Sequence, residues 1–206
     1  MFSTDMGEQF DKKIKSFKAK YGDKQFTYTE AIAFGFSHAE FYRYVKDKIF
    51  ERIHKATYRF DDYLPLTQGE QFRDALKLLG GSSAICLTSA LSYYRLTDMV
   101  ITKPWILVDH STTSRSKIIQ LFRKRDPMWD IGIEKMDGFK ITSLERTIVE
   151  SIAYRNTLTG YDGIYALRKA IFQQKVKLHD LYKIAKKLGY NKRIDGVLEA
   201  YLDEGE

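Results

Sequence analysis

Between Gln9 and Tyr21 the apolar residues Phe10, Ile14, Phe17 and Tyr21 fall on the i, i+4, i+7 and i+11 rows of one helix face. Lys12, Lys13, Lys15, Lys18 and Lys20 stand mostly off that stripe, and Gly22 is placed to end the helix. The next segment, FTYTEAIAFGFSHAEFY, carries two helix-start signals in close succession. Thr27 with Glu30 makes one capping box, and Ser37 with Glu40 makes a second. The helix begun at the first must stop near Gly35. On the second helix Phe41, Val45 and Tyr44 point one way, while His38, Tyr42, Arg43 and Lys46 point the other. Phe50 to Phe60 then reads as two short strands, FERI and TYRF, around the turn HKA. Helix, helix, tight turn, helix and hairpin together are the layout of a winged helix-turn-helix.

The stretch DDYLPLTQGE breaks the pattern and places a domain boundary near residue 62, giving segments 1–62 and 63–206. The second segment opens with a helix from about Glu70 to Leu79, ended by Gly80-Gly81, and a helix from about Thr88 to Tyr94. VITKPWILVD, SKIIQLFRKR and WDIGIEKM then show partial alternation rich in Ile, Val and aromatics, and Asp137-Gly138 is a hairpin turn before FKIT. Helical periodicity returns in SLERTIVESIAYR, GYDGIYALRKAIFQQ, KLHDLYKIAKKLG and NKRIDGVLEAYL. The expected fold class is α+β: an N-terminal winged helix-turn-helix, then an α+β domain with a small, mostly antiparallel sheet and C-terminal helices.

Composition narrows the function classes. With 44% hydrophobic residues and 3 Pro among 206, the chain builds cores rather than staying disordered. Its 34 Lys and Arg against 27 Asp and Glu favour a polyanionic partner. The excess is concentrated early, since residues 9–60 hold twelve of those cations and only six acids. One cysteine, Cys86, excludes an internal disulfide, and its place in AICL predicts a buried thiol. The four histidines are far apart and offer no zinc spacing, so no metal and no cofactor are expected. MFSTDMGEQF lacks a signal-peptide layout, and no apolar run approaches the ~18 residues of a membrane helix. The expectation is a soluble, cytoplasmic protein in a reducing compartment, with no membrane contact.

A recognition helix enters the major groove with its N-terminal half toward base edges. Ser37, His38, Tyr42 and Arg43 occupy that half. Arg43 suits a bidentate pair with guanine, Lys46 and Lys48 suit phosphates, and the wing residues Arg52, Lys55 and Arg59 suit a flanking backbone or minor groove. The competing reading is a small helical unit that its basic residues merely solvate. Phe41, Phe50, Tyr58 and Phe60 are expected in the core, and Tyr42 on the surface. Farther on, Arg115 and Lys117 in STTSRSK, with Arg123, Lys124 and Arg125, form either a second basic surface or a solvated loop. Lys183, Lys186, Lys187, Lys192 and Arg193 add basic character to the last helices.

Catalytic signals are thin. Asp126, Asp130, Glu134 and Lys135 cluster in RDPMWDIGIEK, but Glu134 abuts Lys135, so the two side chains leave a strand on opposite faces. An acid-x-Lys metal nuclease needs them on one face. No glycine-rich phosphate loop occurs, and Ser82, Ser83, Ser89 and Ser92 have no nearby histidine to act as base. His110, in VDHSTTSRS, reads as a loop residue.

The order of segments resembles a known family. A basic winged helix, then LTSALSYYRLT, a β stretch and FKITSLERTIVES is similar to the AbiEi antitoxins of type IV toxin–antitoxin systems, which are also transcriptional regulators. The likeness spans roughly residues 9–200. It is strongest in the second capped helix and wing, in Thr88-Ser89-Ala90-Leu91, and in Thr142-Ser143 with Arg146-Thr147. The resemblance implies a repressor that binds double-stranded DNA at its own promoter. It also implies that the C-terminal domain counters a cognate nucleotidyltransferase-like toxin without forming a stable complex. Two positions depart from the family pattern: Ala56 stands where the wing turn often has glycine, and Glu150 where an aspartate is usual. Two other readings stay open: a protein-interaction module with a degenerate winged helix, and a metal-dependent nuclease.

Overall fold

The computed structural model describes residues 4–22, 24–63, 67–79, 82–124, 129–136, 138–155 and 162–203. The chain falls into two compact units, Met1–Glu70 with Arg115–Lys117, and Gln71–Ser114 with Ile118–Glu206. The division lies inside helix Gln68–Lys77. Residues 64–66 of the proline-containing joint lie outside the described residues.

The first unit runs α1 (Thr4–Tyr21), β1 (Phe26–Thr27), α2 (Tyr28–Phe34), α3 (His38–Lys46), β2 (Phe50–His54) and β3 (Thr57–Phe60). Its three strands pair antiparallel in the order β1-β3-β2. The helix at the N-terminus starts earlier than Gln9, where no apolar stripe marks it. Phe17 on that helix is the hub of the core. Its ring lies 4.7 Å from Tyr21, 4.8 Å from Phe26, 4.9 Å from Phe34 and 5.0 Å from Phe36. Such aromatic pairs contribute about 0.5–1.5 kcal/mol each beyond the burial of their area. Phe41, Phe50, Tyr58 and Phe60 are all buried in the same cluster, as the sequence pattern predicts.

The second unit follows as α4 (Gln68–Lys77), β4 (Ser83–Ile85), α5 (Leu87–Tyr93), β5 (Trp105–Asp109), β6 (Gln120–Lys124), β7 (Ile133–Met136), β8 (Phe139–Thr142) and four helices. Those helices are α6 (Leu144–Ala153), α7 (Asp162–Phe172), α8 (Leu178–Lys187) and α9 (Asn191–Asp203). The strand order is β6-β5-β4-β8-β7. The chain is therefore α+β with C-terminal helices. In this unit, however, the sheet is mixed rather than mostly antiparallel. β4 pairs antiparallel with β5 but parallel with β8, and β5 pairs parallel with β6. The cause is β4, which sits in the middle of the sheet. All three of its residues, Ser83, Ala84 and Ile85, are buried, so the strand shows no in–out alternation. The hairpin β7–β8 pairs as the sequence suggests, with Gly138 at φ +85°; Asp137 lies outside the described residues.

The helical core joins Leu91 of α5, Ile148 and Ile152 of α6, Leu167 of α7, Leu181 of α8 and Ile194 of α9. Helix α7 approaches α6 closely because residue 163 is glycine. A Cβ there would meet the carbonyl carbon of Ser151 at 2.6 Å. Among the described residues, no helix is long and apolar enough to cross a membrane.

Candidate nucleic-acid interface

Both capping boxes form. Thr27 Oγ1 accepts from the Glu30 N–H at 3.1 Å, and Glu30 Oε2 accepts from the Thr27 N–H at 2.7 Å. Ser37 Oγ accepts from the Glu40 N–H at 3.2 Å, and Glu40 Oε2 accepts from the Ser37 N–H at 2.6 Å. Gly35 closes α2 at φ +111°, a left-handed conformation that costs glycine no Cβ clash. Its N–H donates to the Ile32 carbonyl at 2.9 Å. Phe36, 2% exposed, anchors the turn in the aromatic core. Only Gly35, Phe36 and Ser37 thus separate the two helices.

The inner face of α3 holds Phe41 and Tyr44, both buried. At about 100° per residue, Tyr42, Lys46 and Arg43 share the opposite arc, and all three are exposed. Tyr42 is 58% exposed. The Arg43 guanidinium lies 5.8 Å from the Tyr44 ring centroid. Ser37 is committed to the cap, and Lys48 is exposed just beyond the helix at φ +59°. His38 is exposed, but its ring edge faces the Tyr28 hydroxyl, 2.5 Å from Nδ1 and 2.9 Å from Nε2. Desolvation, with Tyr42 and Tyr58 nearby, raises the Tyr28 phenol above its ordinary value, so it stays protonated. Tyr28 was absent from the sequence-predicted set, because a contact between two helices leaves no periodic trace.

In the hairpin Phe50 faces Phe60, Glu51 faces Arg59 and Arg52 faces Tyr58, with a register shift before His54. Directly opposed residues share a sheet face. Arg52 and Arg59 therefore leave the hairpin on opposite faces. Arg59 Nη2 lies 2.6 Å from Glu51 Oε2, which neutralises it. Arg52 Nε donates to the His54 carbonyl at 3.3 Å, and Lys55 is exposed in the turn. Ala56 completes that turn at φ +57°, a left-handed conformation that favours glycine. Its carbonyl accepts from the Tyr28 N–H at 3.3 Å, which ties the turn to the start of α2. The proposed reading set is thus brought together on α3 and at the hairpin tip, with Arg59 apart from it.

The second basic set divides. Arg115 and Lys117 are exposed in the segment that belongs with the first unit, and Arg123 is exposed in the second. Lys124 is not a surface residue, which corrects the sequence expectation. Its side chain is 7% exposed and its Nζ lies 3.0 Å from Glu150 Oε1, itself fully buried. Strand alternation explains the reversal, since Phe122 and Lys124 point inward and Arg123 outward. Arg125 lies outside the described residues. Lys183, Lys186, Lys187, Lys192 and Arg193 are exposed.

The TSLERTIVE segment builds the polar core around Lys124. Ser143 caps α6 by accepting from the Arg146 N–H at 3.2 Å. Thr147 Oγ1 lies 2.7 Å from Thr142 Oγ1. Arg146, fully buried, donates from Nε to Glu150 Oε1 at 3.0 Å and from Nη1 to the Trp129 and Ile131 carbonyls at 2.9 and 2.5 Å. In the LTSALSY segment, Ser89 Oγ accepts from the Trp105 N–H at 2.8 Å. These residues act as structural joints. Glu134 accepts from the Tyr94 hydroxyl at 3.3 Å, while Lys135 is exposed.

Compared with protein-family models the chain matches none, and no curated protein matches it.

Proposed function

We propose that the first unit is a winged helix-turn-helix that reads double-stranded DNA, and that the protein is an antitoxin and autorepressor of a type IV toxin–antitoxin operon. The observation that carries the DNA reading is α3 itself. A doubly capped helix pair with a three-residue turn holds Tyr42, Arg43 and Lys46 on one exposed face, and a hairpin with exposed Arg52 and Lys55 follows. A capped helix N-terminus also presents backbone N–H groups to phosphate. The antitoxin role rests on the resemblance of the ordered segments, from the capped helices to FKITSLERTIVES.

Fluorescence anisotropy against the protein's own promoter tests the DNA reading. Binding is expected to saturate and to weaken with salt as counterions are released. Arg43→Ala is expected to cost about 1–3 kcal/mol on the preferred site, and Lys46→Ala to lower the salt slope by about one. Equal affinity for promoter and random DNA would remove the operator-reading claim. Coexpression with a toxin from the neighbouring reading frame tests the antitoxin role, with growth rescued and no stable complex recovered.

A second reading has its own observation. Val100 and Phe172 of the second unit are 86% and 89% exposed, which leaves both apolar side chains available to a protein partner. Recovery of a stable complex with the toxin would favour this interaction-module reading.

A further inference from the structure

Tyr28 carries no charge and lies outside α3, yet it joins α3 to the hairpin tip. Its ring meets Phe41 edge-on at 5.0 Å and 89°. It lies 6.2 Å from Tyr42 at 30°, and 5.3 Å from His38. Its hydroxyl occupies the polar edge of the His38 ring, and its N–H holds the Ala56 carbonyl. With one ring nitrogen engaged by that hydroxyl, His38 has at most the other to offer a base. What the cluster turns outward is the Tyr42 ring. An aromatic side chain has only two χ angles to fix on binding. Packing against Tyr28 restricts Tyr42 before any DNA arrives, which lowers the ordering cost of binding. In the major groove, the group that rewards contact with an apolar surface is the C5-methyl of thymine.

We infer that Tyr42 reads a thymine methyl group and that Tyr28 is the positioning residue that holds its ring. The inference rests on the DNA-binding reading above.

The probe is a duplex selected by the protein from a randomised library. Each thymine is replaced in turn by deoxyuridine, which removes the methyl and leaves every hydrogen-bonding group. Wild-type protein is expected to lose about four-fold in affinity at one position, the equivalent of about 0.8 kcal/mol for one buried carbon. Tyr42→Phe should keep that thymine-over-uracil ratio, and Tyr42→Ala should abolish it there alone. Tyr28→Leu should reduce the ratio with the salt slope unchanged, and Tyr28→Phe should restore it. A fold defect would change melting temperature and salt slope together, so the position-specific ratio separates positioning from general support. If the wild type tolerates uracil everywhere, or Tyr42→Ala keeps the ratio, the inference is overturned while DNA binding stands. If the protein selects no duplex at all, the DNA-binding reading falls and takes this inference with it.

Discussion

Lys13 Nζ lies 3.0 Å from Glu40 Oε2, so α1 grips the same carboxylate that caps α3. Burial pushes the Glu40 carboxyl up, but the Ser37 N–H, Lys13 and the Ser37 hydroxyl outweigh it and hold it below the ordinary carboxylate value. The folded state therefore binds this proton less readily than the unfolded chain. The resulting stability is complete above the ordinary value of about 4.3 and is lost as pH falls through the lower folded-state value. Glu40→Gln keeps a capping side chain and loses the charge. It is expected to cost about 0.5–1 kcal/mol at neutral pH and to flatten the acid limb of the stability profile. Thermal melts taken from neutral to acid pH check this; parallel limbs for the two proteins would refute it.

Ala56 sits at φ +57° in the hairpin turn. An L-residue with a Cβ carries about 1–2 kcal/mol in that conformation. Glycine avoids that cost but loses about 0.5–1 kcal/mol more backbone entropy on folding. Ala56→Gly is therefore expected to stabilise the protein by about 0.5–1 kcal/mol, and Ala56→Val to destabilise it. Denaturant midpoints for the two variants should move in opposite directions. A midpoint for Ala56→Gly at or below that of the parent would contradict this account of the turn.

The parts of the site that were legible in the sequence are those fixed by local chemistry. Both capping boxes show as Thr27/Glu30 and Ser37/Glu40 because the partners lie within one helical turn. The burial of Phe41 and the exposure of Tyr42 follow from helical periodicity. What escaped depends on partners distant in sequence. Lys124 reads as part of a solvated RKR run until strand alternation and Glu150 turn it inward. Arg59 reads as a wing cation until the hairpin register sets it against Glu51. β4 carried no alternation because both of its faces are covered, and β1 has only two residues. The partnership of Arg146 with Glu150 is local instead: the two stand four apart in α6, the spacing of an intrahelical ion pair.

That pair supports an asymmetric prediction. Glu150 Oε1 accepts from both Lys124 and Arg146 in a fully buried setting. Removing the carboxylate takes the counter-charge from two buried cations, which is expected to cost about 3–5 kcal/mol. Lys124→Met leaves Glu150 still paired with Arg146 and fills the space with an apolar chain, so its cost should be well below that of Glu150→Ala. Urea denaturation of both variants checks the order. If Glu150→Ala costs no more than Lys124→Met, the carboxylate is not the centre of this core.

Cys86 is fully buried and feels the charge of the same carboxylate. Burial pushes its thiol well above the ordinary value, and the Glu150 charge pushes in the same direction. Since the thiolate is the reactive form, the native protein should resist iodoacetamide and label only when the second unit opens. The folded thiol also holds its proton more tightly than the unfolded one. Stability from this source is complete below the ordinary thiol value, about 8.5, and declines as pH rises above it. Labelling should therefore accelerate with urea in step with loss of structure, and run faster in Glu150→Ala because that variant opens more often. Stoichiometric labelling of the folded protein at neutral pH, at the rate of an exposed thiol, would show that the Cys86 site is open to solvent.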